Sequence, residues 1–245
     1  MTMKLICLPY AGGTAASFDS WLNLSDSFEV FPVEYPGRGA LHALPLAETM
    51  DELTDSLVAA IAPLIDGSYV LYGHSLGGSV AVALVGKLLT RGLRPPLFVG
   101  VGAARGPGPV GRDRVLHTGL TDAELVEELI RIGGIPKLLQ GYPEVIARYV
   151  GGLRKDLLLL EGWVASGLRP IPVPIAVFAG VRDQLVAVDR CRRWERMTTS
   201  SFWFETIEGD HFFLQTHASD VVGHLRQIAD AVRIQDQSSA DGHNL

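Results

Sequence analysis

Short runs of apolar, β-branched or aromatic residues recur along the chain, at Leu5–Leu8, Phe28–Val33, Tyr69–Tyr72, Leu97–Val101, Ile175–Ala179 and Phe202–Ile207. Few of these runs alternate with polar residues as a strand with one wet face would, so they read as strands buried on both sides. Between several of them the period lengthens to that of a helix. Leu53, Leu57, Ile61 and Leu64 fall on one stripe of the segment Met50–Ile65, and Leu76–Leu89 follows the third strand directly. Alternating strands and helices predict an α/β protein with a mainly parallel sheet flanked by helices.

The alternation breaks once. About seventy residues separate Val101 from Ile175, many more than a crossover between neighbouring strands needs. Inside that gap Thr121-Asp122-Ala123-Glu124 has the form of a capping box, opening a helix toward Ile132 that Gly133-Gly134 can close. A second helix is expected from Pro143, a good first-turn residue, through Val145, Ile146, Tyr149, Val150, Leu153, Leu157 and Leu158. The segment of about residues 112–165 is therefore expected to form a helical lid; the plainer alternative is that its helices are simply more core. A last amphipathic helix is predicted over Ala218–Ile234, and residues 235–245 lack apolar content and are expected to be disordered. With no linker-like composition shift or internal repeat, residues 1–234 read as a single domain carrying one insertion.

Composition narrows the function. Of 245 residues, 47% are hydrophobic and 20% charged, enough for a substantial core. The net charge of −6 supplies no global positive field for nucleic acid or an anionic membrane, so neither is expected as a partner. Two cysteines, Cys7 and Cys191, are too few for a disulfide framework and suit a reducing compartment. No apolar stretch approaches the roughly 18 residues of a membrane span, and the N-terminus runs into the first strand without a signal-like segment. A soluble cytoplasmic protein is the expectation.

Gly73-His74-Ser75-Leu76-Gly77 has the form G-x-S-x-G and lies between a predicted strand and a predicted helix. On so sharp a turn the serine is exposed at the carboxyl edge of the sheet, which makes Ser75 the candidate nucleophile. A serine hydroxyl needs a base, and the base an orienting carboxylate. In the α/β-hydrolase arrangement the chain order is serine, acid, histidine, with the last two after late strands. Asp183 follows the fifth run and His211 the sixth, where that order requires them. His74 adjoins the serine but faces elsewhere on the turn; His217 and His224 lie on or near the last helix. Asp210 points away from its neighbour His211, and Asp189 falls inside a following helix. The amide of Leu76, at the helix N-terminus, is the first candidate donor to an oxyanion. Ala11, in the small-residue segment Leu8-Pro9-Tyr10-Ala11-Gly12-Gly13 after the first strand, is the second, unless that segment is an ordinary Gly-Gly turn. No zinc-protease histidine pair, cysteine cluster or dinucleotide fingerprint occurs, so no metal and no cofactor is expected.

Taken together with Tyr35-Pro36-Gly37-Arg38, Gly78, Leu120-Thr121-Asp122-Ala123-Glu124-Leu125, Gly133-Gly134 and Gly209-Asp210-His211-Phe212-Phe213-Leu214, these segments resemble the stand-alone type II thioesterases of polyketide and nonribosomal peptide pathways. The resemblance covers nearly the whole chain. It implies an α/β-hydrolase fold and hydrolysis of acyl thioesters from the phosphopantetheine arm of acyl or peptidyl carrier proteins, clearing stalled or aberrant groups from a synthase. It assigns Ser75 as nucleophile, Asp183 as orienter, His211 as base, and the Ala11 and Leu76 amides as oxyanion donors. The sequence departs from the family where Leu76-Gly77-Gly78 stands in place of the frequent Met-Gly-Ala, and where Val181-Arg182 precedes the acid; neither touches the triad.

Leu125, Leu129, Ile130 and Leu153 of the lid are the expected acyl-binding residues. Carrier proteins of this kind are acidic, so docking calls for a local basic area: Arg105, Arg112 and Arg114, or Arg190, Arg192, Arg193 and Arg196, the second group reading equally well as a solvated face. Two rival functions stay open. One is another α/β-hydrolase activity, an esterase or a macrocyclising thioesterase; the other is a non-catalytic carrier-binding protein.

Overall fold

A computed structural model describes residues 2–24, 28–108, 119–135, 137–165 and 169–241. Six strands, β1 (Met3–Leu8), β2 (Phe28–Pro32), β3 (Tyr69–His74), β4 (Val99–Gly102), β5 (Ile175–Gly180) and β6 (Phe202–Ile207), form one sheet in the order β2-β1-β3-β4-β5-β6. Every neighbouring pair is parallel. Residues of β3 and β5 are buried throughout, which is why their sequences show no alternation. The fourth strand begins at Val99 rather than Leu97, yet the Leu97 amide still bonds the Tyr69 carbonyl at 2.9 Å, so the pairing extends past the regular element.

The sheet carries helices α1 (Met50–Ile61) and α2 (Leu76–Thr90). α1 starts at an N-cap, Thr49, whose side chain accepts from the Glu52 amide. It stops short of the predicted Ile65 because Pro63 has no N–H to continue the ladder, and Ala62–Leu64 tighten into a 3₁₀ turn. Later come α5 (Val188–Arg192), α6 (Phe213–Thr216) and α7 (Ala218–Asp241). Two hydrophobic clusters follow. One packs α1, α2 and the insertion on one face of the sheet; the other packs Phe18, Trp21 and the apolar stripe Val221, Leu225, Ala229 of α7 on the opposite face. Cys7 and Cys191 are both enclosed and unbridged.

The insertion is helical, as its pattern predicted. α3 (Asp122–Arg131) opens with the complete capping box of Thr121 and Glu124, and α4 (Pro143–Ala165) starts at the anticipated proline. Residues 112–118 of the expected lid, with Arg112 and Arg114, lie outside the described residues. One expectation is corrected: helix α7 does not end at Ile234 but continues to Asp241, so most of the tail expected to be disordered has helical backbone. Polar residues alone do not end a helix that already has a nucleated, packed stem, because each further residue adds one hydrogen bond without a new nucleation cost. No helix among the described residues is long and apolar enough to cross a membrane.

Candidate active site

All the predicted chemistry converges at the carboxyl ends of the strands, where the order reverses between β1 and β3. Ser75 joins β3 to α2 with φ 54° and ψ −116°, a left-handed conformation that a non-glycine residue adopts only where its surroundings impose it. The turn is tight enough that a Cβ on Gly77 would overlap the Leu8 carbonyl, which explains the glycine two residues past the serine. The Ser75 amide bonds the Gly102 carbonyl at 2.7 Å and fixes the turn to β4.

Asp183 and His211 sit on the loops after β5 and β6, and those loops stay paired beyond the strands. The Val181 amide donates to the Ile207 carbonyl at 3.0 Å and the Arg182 amide to the Gly209 carbonyl at 2.9 Å. The sheet register thus carries through to the side chains. His211 Nδ1 lies 2.8 Å from Asp183 Oδ2, and His211 Nε2 lies 3.2 Å from Ser75 Oγ. The other Asp183 oxygen accepts from the Leu185 and Val186 amides at 2.8 and 2.9 Å, so the enclosed carboxylate is satisfied on both sides. With Asp183 accepting at Nδ1, the proton sits there and Nε2 is left as the acceptor facing the hydroxyl. Asp210 does point away, accepting from the Phe212 amide at 2.8 Å, and Asp189 lies in the first turn of α5.

His74 does face elsewhere, but it is not idle. Its Nε2 donates to the His211 carbonyl at 2.7 Å and its Nδ1 accepts from the Tyr72 hydroxyl at 3.1 Å. A carbonyl can only accept, so this chain of bonds fixes the tautomer. Burial, then the nearby His211 charge, lowers the His74 pKa to about 3. A neutral ring 5.8 Å from the His211 ring can support the backbone of that residue without opposing an imidazolium.

Ala11, Ser75, Leu76 and His211 line one cavity of about 120 Å³. Among the described residues, the Ala11 amide donates no hydrogen bond within the protein; the Leu76 amide, at the first position of α2, has no partner inside the helix. The inserted helices supply part of the cavity wall. Leu129 and Leu153 line the cavity as expected, joined by Ile132, Tyr149, Leu157 and Leu160. Leu125 and Ile130 do not. Leu125 is fully buried against the core, and Ile130 is 39% exposed on the outer side of α3. Helical periodicity marks an apolar stripe but not which part of that stripe meets the hollow.

A second buried ionic group lies at the edge of the same cavity. Asp156 of α4 accepts from the guanidinium of Arg38 and, through its other oxygen, from the Gly12 amide at 2.7 Å. Both side chains are nearly enclosed, at 9% and 6% exposure for Arg38 and Asp156. Burial pushes the Asp156 carboxyl up, against the opposing pull of Arg38 and the Gly12 amide. The motif carrying Arg38 was visible in the sequence, but its partner stands over a hundred positions away and gave no local signal. Of the candidate docking arginines, Arg105 lines the cavity and Arg192 lies over the Phe204 ring at 4.2 Å. No group of three or more potential metal ligands occurs among the described residues.

A serine, an imidazole and a carboxylate bonded in that order, on the loops after β3, β6 and β5 of a parallel sheet, define a serine-hydrolase arrangement of the α/β-hydrolase class. The model of the Thioesterase domain family matches residues 3–229, and the chain belongs to that family. It is 32% identical over 230 residues to Thioesterase PikA5 of Streptomyces venezuelae, covering 91% of this chain and 81% of that one. Among solved structures, ClbQ from the colibactin NRPS/PKS pathway superposes with a TM-score of 0.84 at 31% identity, over 96% of this chain and 99% of its own. YbtT, a type II thioesterase from the yersiniabactin NRPS/PKS pathway, superposes with a TM-score of 0.82 at 25% identity, over 94% of each chain. The resemblance read from the motifs therefore holds, and the protein is an enzyme of the thioesterase class.

Proposed function

We propose that this thioesterase hydrolyses acyl groups from the phosphopantetheine arm of an acyl or peptidyl carrier protein, serving a polyketide or nonribosomal peptide synthase as an editing enzyme of the cytoplasm. The observation that carries the reading is the bonded chain Ser75–His211–Asp183 at the floor of an apolar cavity roofed by lid residues. Ser75 Oγ attacks the thioester carbonyl carbon as His211 Nε2 takes its proton, and the carbonyl electron pair moves to oxygen. The resulting oxyanion is held by the Ala11 and Leu76 amides. Collapse breaks the carbon–sulfur bond, and the thiol leaves with the proton returned by His211; with a thiol pKa of about 8.5 this departure is easy. Water then attacks the acyl-serine with His211 again as base, releasing a carboxylic acid and restoring Ser75. Leu129 and Leu153 enclose the acyl chain.

Intact-mass measurement of acyl-loaded carrier proteins, incubated with the protein or with Ser75→Ala, tests this. Loss of the acyl mass with the wild type alone is expected. Retention of acyl groups by both, across several acyl lengths, would leave only a carrier-binding role, and faster cleavage of simple esters than of thioesters would reassign the enzyme as an esterase.

A further inference from the structure

The loop after β1 is a four-residue turn, Tyr10–Gly13, closed by the Gly13 amide donating to the Tyr10 carbonyl at 2.8 Å. Gly12 occupies its third position with φ +75°. A positive φ there is the type II arrangement; the type I alternative keeps the same closing bond but turns the central peptide, between Ala11 and Gly12, by about half a revolution. The two forms therefore differ mainly in where the Gly12 N–H points. In this structure it points at Asp156 Oδ2, 2.7 Å away. A side chain at position 12 is excluded twice, by the sign of φ and because its Cβ would stand 2.8 Å from the Tyr149 ring of α4.

Gly12 at the third position favours the type II form from within the loop. Contacts from outside then hold it. Asp156 accepts the Gly12 amide, and Arg38 neutralises Asp156 while its Nη1 reaches the Gly13 carbonyl at 3.5 Å. Tyr35, in the same segment as Arg38, donates its hydroxyl to the Pro9 carbonyl at 3.1 Å. The loop is thus gripped at Pro9, Gly12 and Gly13, and the residue left between the grips, Ala11, keeps its amide uncommitted at the cavity wall.

We propose that Arg38 and Asp156 are positioning residues that, by gripping Gly12 and Gly13, hold the Tyr10–Gly13 turn in its type II form and in place against α4, and so keep the Ala11 amide between the grips facing the oxyanion. Because Asp156 belongs to lid helix α4, the oxyanion site is complete only when the lid is seated. This inference rests on the reading of Ala11 as an oxyanion donor in thioester hydrolysis. An ion pair of such low exposure that served packing alone could be exchanged for apolar side chains of similar volume with little loss. One that aims an amide could not.

The experiment compares two double variants, Arg38→Met/Asp156→Leu, which removes charge and acceptor, and Arg38→Met/Asp156→Asn, which removes charge but keeps an acceptor for Gly12. Hydrolysis of a butyryl-pantetheine thioester is measured together with urea unfolding. The Leu double variant should keep its folded midpoint and KM within about threefold but lose kcat by about a hundredfold, as expected for a misplaced oxyanion donor. The Asn double variant should recover at least tenfold of that loss. Equal kcat in the folded wild type and the folded Leu double variant overturns the proposal. Should the Leu double variant not fold, Asp156→Asn and Asp156→Val are compared with Arg38 in place, and equal kcat in that pair overturns it likewise. A wild type with no thioester hydrolysis at all would instead refute the functional reading beneath the proposal.

Discussion

At the rim of the sheet, Asp183 and His211 are held by backbone hydrogen bonds that prolong the β5–β6 ladder, whereas the lid meets the same cavity through side chains packed on it and through the Asp156 carboxylate. The difference separates two kinds of precision. Rim geometry follows from strand register, which cannot slip by one residue without turning every side chain over. The inserted helices are held by side-chain packing and by side-chain groups such as the Arg38–Asp156 pair, contacts between residues far apart in sequence. In the function proposed above, the triad comes from the first region, and the second supplies the acyl-chain wall and the Asp156 that braces the Gly12 loop.

The sharpest way to break that comparison is at the rim. Asp183→Asn preserves shape but presents the wrong hydrogen-bonding partner to His211 Nδ1, and should lower kcat by about 10⁴-fold with little change in KM. A loss below tenfold in steady-state thioester kinetics would mean that the bonded chain does not carry the reaction. In the lid, Leu153→Ala should cost about 3 kcal/mol in urea unfolding, because it deletes a buried side chain and enlarges the cavity that side chain lines, while shifting preference toward longer acyl chains. An unchanged chain-length profile would remove the lid from substrate selection.

His74 supplies a third measurement. Its folded pKa of about 3 lies below the ordinary 6.5, so the ring is neutral in both states above pH 6.5 and its stabilising contribution is complete there. As pH falls from 6.5 toward 3, only the unfolded chain takes up the proton, and stability drops, by about 2 kcal/mol at pH 5. Urea unfolding at pH 7.5 and 5 should show wild type losing about that much more than His74→Asn; equal losses would count against a buried neutral ring. Smallest of all, Ile130→Asp on the outer side of α3 should change stability by less than about 0.5 kcal/mol and leave the acyl profile alone. A changed profile would return Ile130 to the substrate wall.

The same contrast explains what the sequence disclosed. Ser75, Asp183 and His211 each follow a strand by a short, fixed interval, and a parallel sheet brings the ends of its strands to one edge, so local pattern was sufficient to nominate them. The capping box of α3 and the proline of α4 were equally local. Leu125 and Ile130 failed as cavity residues because a 3.6-residue period locates a stripe on its own helix, not the neighbour it will face. Arg38 stood in a recognisable motif without a purpose until Asp156 came beside it, and Ile132 and Leu160 joined the cavity wall by tertiary placement alone. His74 offered a signal, since it sits next to the nucleophile, but its acceptor is the backbone of His211, which no side-chain pattern encodes.

Cys7 and Cys191, the chain's two cysteines, are both sealed inside, and burial pushes each thiol up, away from the reactive thiolate. The wild-type molecule is in effect a blank background for maleimide chemistry. A single cysteine placed at Val145 or Leu158, both exposed on α4, would then take a fluorophore alone, and its emission could follow the roof of the cavity through a turnover without first removing a native residue.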